Sequence, residues 1–69
     1  MDILAYLQLY NIKKKDFAEA NEIKPSTLSN YIKGTRKPKL DIARKMERNS
    51  KGKIKIDDII EYWNMHRKK

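Results

Sequence analysis

Ser26, Thr27, Ser29, Asn30 and Lys33 are the side chains in this sequence best suited to specific chemistry. Among them stand Leu28, Tyr31 and Ile32, at i, i+3 and i+4, a spacing that turns one side of a helix inward. The opposite side then carries two serines, a threonine, an asparagine and a lysine. Such groups donate and accept hydrogen bonds at fixed positions and do nothing covalent by themselves. An ordinary solvent-facing helix is rich in Glu and Lys, whereas Ser, Thr and Asn cost helix propensity. The composition therefore answers to recognition rather than to helix stability. Catalysis has no candidate residues: no nucleophile is paired with a base, and no glycine-rich loop is present. One histidine, His66, and no cysteine cannot make a zinc site. The expectation is a binding protein, not an enzyme, with no cofactor and no small-molecule ligand.

What would be bound follows from the charge. The chain carries a formal net charge of +8, and the excess is localised. Residues 1–23 sum to −1, residues 24–55 to +9 and residues 56–69 to zero. Eleven Lys or Arg against Asp41 and Glu47 in the middle segment are the footprint of a polyanion-binding face.

Sixty-nine residues allow one domain, residues 1–69, and one small core. The absence of cysteine removes any disulfide framework and makes a reducing cytoplasm the expected location. No apolar run approaches the roughly 20 residues that cross a bilayer, so no membrane association is expected. Met1-Asp2-Ile3-Leu4 places an acid where a signal peptide has a base.

Periodicity and breakers predict five short helices. Ile3, Leu4 and Leu7 form a stripe over residues 2–10, with Asp2 as N-cap and Asn11 as the stop. Residues 16–20 read as a second helix with Phe17 and Ala18 inward, preceded by Lys13, Lys14 and Lys15. Pro25 suits the first position of a third helix and Gly34 the residue after its end. A fourth helix over residues 38–48 is expected to bury Leu40, Ala43 and Met46. The last, over residues 56–66, has the stripe Ile56, Ile59, Ile60 and Trp63. Ile54-Lys55-Ile56 alternates and is compatible with a brief extended stretch. Trp63 reads as a core or dimer-contact residue, Tyr6 and Tyr10 as surface or interface, and His66 as a cation near a helix C-terminus. Arg67-Lys68-Lys69 is a basic end.

Two short helices joined by a tight turn, the second with a polar outward face, are a helix-turn-helix. Such a unit needs a bulky and then a small apolar residue in its first helix, here Phe17-Ala18. It needs an apolar residue in the turn, here Ile23, and two anchors three residues apart on the second helix, here Leu28 and Tyr31. With these in place residues 14–34 resemble the lambda-repressor-like, Cro-type helix-turn-helix family. The matching string is Asp16-Phe17-Ala18-Glu19-Ala20, then Ile23 through Gly34, then Arg36-Lys37-Pro38. Met46-Glu47 and Ser50-x-Gly52-Lys53-Ile54 are similar to the end of helix four in phage Cro-like and YdaS-like regulators. The family has a buried apolar residue and a left-handed glycine at the end of the first motif helix, where this chain has Asn21 and Glu22. Either Glu22 is strained, or the turn is shifted and Asn21 takes the left-handed conformation.

The resemblance implies an all-α, lambda-repressor-like domain whose third helix enters the major groove, where base edges are distinguishable. It places the start of that helix nearest the bases, which nominates Lys24, Ser26, Thr27, Ser29, Asn30 and Lys33 as base-reading. Asn30 suits a bidentate pair with adenine, and Lys24 suits guanine. Phosphate contacts fall to Lys14 and Lys15 on one side and to Thr35, Arg36, Lys37 and Lys39 on the other. Lys51, Lys53 and Lys55 either extend that grip or are solvated. The expected partner is double-stranded DNA, bound as a homodimer, at least on DNA, at half-sites about 34 Å apart. The expected role is transcription regulation, as a repressor of phage or mobile-element character associated with the nucleoid of a bacterial or phage-infected cell. An antitoxin that represses its own operon is a variant of this reading. A protein-interaction module on the same scaffold predicts an acidic or apolar face instead. An RNA-binding protein predicts exposed aromatic platforms.

Overall fold

The computed structural model describes residues 1–67, and among these all regular structure is helical: α1 (Ile3–Leu9), α2 (Lys14–Ala20), α3 (Pro25–Lys33), α4 (Leu40–Asn49) and α5 (Ile56–His66). Lys68 and Lys69 of the basic end lie outside the described residues. None of the helices exceeds 11 residues, too short to hold alone in water. They are held by a shared core of Ile3, Leu7, Phe17, Ala18, Leu28, Tyr31, Ala43, Met46, Ile54 and Ile59. Every helix contributes at least one of these residues. Ile54 enters the core from the α4–α5 loop, without forming a strand. Tyr6 is half-buried, its ring 5.9 Å from that of Phe17 and 5.0 Å from that of Tyr10.

The first and last helices start on carboxylate caps. Asp2 caps α1, its Oδ1 accepting from the Ala5 N–H at 2.7 Å. At α5 the Asp58 carboxylate accepts from the Lys55 N–H at 3.1 Å and from the Met1 ammonium at 2.7 Å. These bonds hold its pKa below the ordinary 3.8, the ammonium having the larger effect.

The ends of the first four helices share one device. A residue with positive φ follows the helix, and the next N–H returns to a carbonyl five residues back. The pairs are Ile12 to Leu7 at 2.9 Å, Ile23 to Ala18 at 3.0 Å, Thr35 to Asn30 at 3.0 Å and Gly52 to Glu47 at 2.8 Å. The left-handed residues are Asn11, Glu22, Gly34 and Lys51. Asn11, Glu22 and Lys51 are exposed, so their side chains leave into solvent. Gly34 is buried, and a Cβ there would stand 2.0 Å from the backbone oxygen of His66. Glycine is thus required at this one helix end by a neighbour as well as by its own torsion. The end of α5 rests on the end of α3, and the Tyr62 hydroxyl donates to the Ile32 carbonyl at 2.8 Å beside it. Burial raises the pKa of Tyr62, with Asp2 adding to the effect, so the hydroxyl keeps the proton it donates.

Two side chains depart from the expected stripes. Leu40 is 54% exposed and Ile60 is 42% exposed. Three-residue steps rotate by about 300°, so two of them carry Leu40 about 120° from Met46 on the helix. The core takes Ala43 and Met46, with Ile42 partly buried against it, and leaves Leu40 outside. α4 also begins later than expected, because Lys39 is extended, with φ −72° and ψ 156°. On α5, Ile59 faces the core and Ile60, one residue on, turns out.

Gly34→Ala is expected to lower stability by about 2–4 kcal/mol, from left-handed strain together with overpacking against His66. Gly52 also has φ +80° but meets no atom within 4 Å. Its alanine variant should lose only about 1 kcal/mol. Thermal unfolding of the two variants side by side checks the difference.

Candidate nucleic-acid interface

α2 and α3 meet in the core, α2 bringing Phe17 and the fully buried Ala18. Leu28 and Tyr31 anchor α3 in the same core, and the partly buried Ile23 of the turn packs against it. Burial raises the Tyr31 pKa, Asp41 raises it further and Arg36 opposes them. The anchor therefore remains an uncharged phenol at neutral pH.

The turn is in the family register, with the strain at Glu22. Glu22 has φ +59°, while Asn21 has φ −101°, so the alternative in which Asn21 takes the left-handed conformation does not hold. Asn21 is fully buried instead, in the place of the usual apolar residue. Its Nδ2 donates to the Phe17 carbonyl at 2.9 Å, and its Oδ1 accepts from Asn49 Nδ2 at 2.9 Å. Asn49 Nδ2 also reaches the Ala20 carbonyl at 2.9 Å. The end of α4 thereby holds the turn between α2 and α3. Neither asparagine of this clasp announces itself in the sequence: they lie 28 positions apart, and Asn21 occupies a position read as apolar or left-handed.

α3 starts with Pro25 at its first turn, and no side chain caps it. Ser26 and Thr27 are therefore not engaged as caps. Among the described residues, no side-chain hydrogen bond within the protein uses the hydroxyls of Ser26, Thr27 or Ser29, or the Asn30 amide. Lys24, Ser26 and Lys33 are exposed, and Thr27, Ser29 and Asn30 are half-buried. α3 thus gathers five of the six candidate base-reading residues, with Lys24 as the residue just before it.

The candidate phosphate residues flank it. Lys14 and Lys15 open α2, and Thr35, Arg36, Lys37 and Lys39 follow α3; all six are exposed. Thr35 differs from the rest in one respect. Its N–H and its hydroxyl both donate to the Asn30 carbonyl, at 3.0 and 3.2 Å, so it has no donor left over. It closes α3 and fixes the direction in which Arg36 and Lys37 leave. Lys53 lies over the Tyr10 ring at 5.9 Å and belongs to the α1 side of the molecule. Among the described residues there is no group of three His, Cys, Asp or Glu placed to hold a metal ion. No helix among them is long and apolar enough to cross a membrane.

A short helix braced across another through a tight turn, with an uncommitted polar face between flanking cations, defines a DNA-binding helix-turn-helix protein. The sequence comparison gives the family. The helix-turn-helix family model matches residues 3–49, and the chain belongs to that family, of the lambda-repressor and Cro-like kind. The match covers α1 through α4 and ends before α5. No curated protein and no solved structure matches the chain.

Two substitutions test the frame of the site. Asn49→Ala removes the donor to a fully buried oxygen and should cost about 1–3 kcal/mol. Glu22→Gly relieves the left-handed strain and should gain about 1 kcal/mol. The Glu22 carboxylate meets only Lys45, at 3.8 Å and largely in solvent, a contact of small value. Denaturant unfolding of both variants reads the opposite signs.

Proposed function

We propose that the protein is a sequence-specific transcriptional regulator, a Cro-like repressor that occupies operator half-sites in the major groove of double-stranded DNA. The observation that carries this reading is the outward face of α3, whose hydroxyls and amide have no partner within the protein. Exposed polar groups with nothing to hold are those a base edge can use. Asn30 is assigned to adenine, to which its amide can both donate and accept. Lys24 is assigned to guanine, with Ser26, Thr27, Ser29 and Lys33 completing the base-reading set. Lys14, Lys15, Arg36, Lys37 and Lys39 grip phosphates on the two sides of the groove, and Thr35 shapes the loop that carries three of them. A bound dimer reads two half-sites one helical turn, about 34 Å, apart. Repression follows from occupancy, since α3 in the groove excludes other readers of the same bases.

Selection from a pool of random duplexes tests the assignment. The wild-type chain should enrich a defined motif. Asn30→Ala should relax it at one base pair, at a cost of about 1–3 kcal/mol on the preferred site. With roughly 4 phosphates neutralised per subunit, dimer affinity should fall with a log–log salt slope near −7. Weak, unenriched binding that Asn30→Ala leaves unchanged would reduce the basic face to general polyanion attraction.

A further inference from the structure

Leu40 and Ile60, which the core leaves outside, line one open groove between the start of α4 and α5. Its volume is about 450 Å³; Ile56 and the half-buried Trp63 extend the apolar wall, and Lys37 and Lys39 stand among the lining residues. Among the described residues, none that lines it is acidic, and neither lysine enters an ion pair. Apolar side chains gathered in one exposed place mark an interaction surface. Here that surface has two unpaired cations beside it.

We propose that the groove binds an acidic, amphipathic helix of a different protein, and that this partner and DNA compete for the chain. A helix satisfies its own backbone and delivers apolar anchors at i, i+3 or i+4 and i+7 into a cleft. An extended segment would need a sheet edge, and there is no strand among the described residues. Carboxylates beside the anchors come to Lys37 and Lys39. A second copy of the chain is the poorer match, because it carries +8 and is repelled in free solution, whereas an acidic partner is drawn in. The apolar wall is also short. Four side chains hold a segment with a few anchors, not the roughly 800 Å² per partner of two folded domains.

Competition follows from the lysines. Lys37 and Lys39 belong to the phosphate-gripping set, and an ammonium held by a partner's carboxylate is lost to the DNA backbone. The partner's remaining acids repel phosphates as well. The occupant of the groove thereby releases the chain from DNA. Competition rests on the phosphate role proposed for the two lysines; occupancy of the groove does not.

The test selects ligands for the full chain, without DNA, from a displayed library of random peptides of about 18 residues, long enough to form helices. Enriched sequences should carry Asp or Glu beside apolar residues at helical spacing. Trp63 is the only tryptophan, so binding of the top peptide should shift its emission to the blue. Leu40→Glu and Ile60→Glu should each weaken that peptide about 10-fold or more. Both helices tolerate the change, since Glu is a good helix former and an acid suits the first turn of α4. Leu9→Glu, on α1 and 65% exposed, should bind as wild type does. The double variant Lys37→Glu, Lys39→Glu should lose the acidic peptide and gain its counterpart with lysines in place of the acids. Saturating peptide should lower affinity for the enriched duplex, or for a mixed-sequence duplex if none is enriched, on the order of 10-fold. No enrichment, enrichment of basic or uncharged peptides, or binding that survives both groove substitutions overturns the inference. So does a chain that dimerises without DNA and thereby excludes the peptide, which makes a second copy the occupant. A peptide that fills the groove and leaves duplex affinity unchanged overturns competition alone. Failure to select any duplex motif counts against the operator reading, from which the peptide measurements stand apart.

Discussion

The fold depends on stopping helices early and turning the chain back on itself. Helices of seven to ten residues bring little stability of their own, and a chain of this size has one small core to share among them. Four successive ends use the same left-handed reversal, which satisfies terminal carbonyls locally and returns an apolar residue to the core each time it can: Ile12 after α1, Ile23 after α2. The third reversal is different because it is buried. At Gly34 the backbone of α3 meets the backbone of α5, and everything beyond a hydrogen atom is excluded there. The recognition helix is thus fixed at its far end by α5 and at its near end by the Asn21–Asn49 clasp. Two elements outside the motif hold the motif's geometry.

This division of labour accounts for the electrostatics as well. The segment that carries the excess positive charge includes α3 and α4, and most of that charge lies on exposed side chains. Mutual repulsion among so many cations opposes compaction. The carboxylates that offset it are placed where they also do structural work: Asp58 starts α5 and binds the N-terminal ammonium, and Glu47 accepts from the Ile56 N–H at 3.1 Å. α3 itself, residues 25–33, carries no acid at all.

Much of this is legible in the sequence. Pro25, Gly34 and the i, i+3, i+4 spacing of Leu28, Tyr31 and Ile32 mark α3 to the residue, and Asp2 marks the start of α1. What misleads is a spacing read over too few turns: Leu40 and Ile60 belong to apolar stripes on paper, yet the helical rotation carries one past the core and the offset of one residue turns the other away. Buried polar pairing is not legible at all. Asn21 reads as a departure from the family pattern, and only the position of Asn49 in space makes it a fitted part. The candidate site residues stand out by type, because serines, threonine and asparagine on a helix face are conspicuous. Their commitments do not, as Thr35 shows: a hydroxyl in the basic loop after α3 looks available until the Asn30 carbonyl is found to hold it.

The composition of α3 then has a physical explanation that joins fold and function. A helix of Ser, Thr, Ser and Asn is a poor helix, and its first turn lacks even a side-chain cap. In isolation it would not form. It persists because Leu28 and Tyr31 are buried, because Pro25 presets its first turn, and because Gly34, Thr35 and Tyr62 satisfy or cover its last carbonyls. Stability is supplied entirely from the inward side and the two ends. The outward face is released from any structural duty, which is the condition for its side chains to be chosen by what they bind.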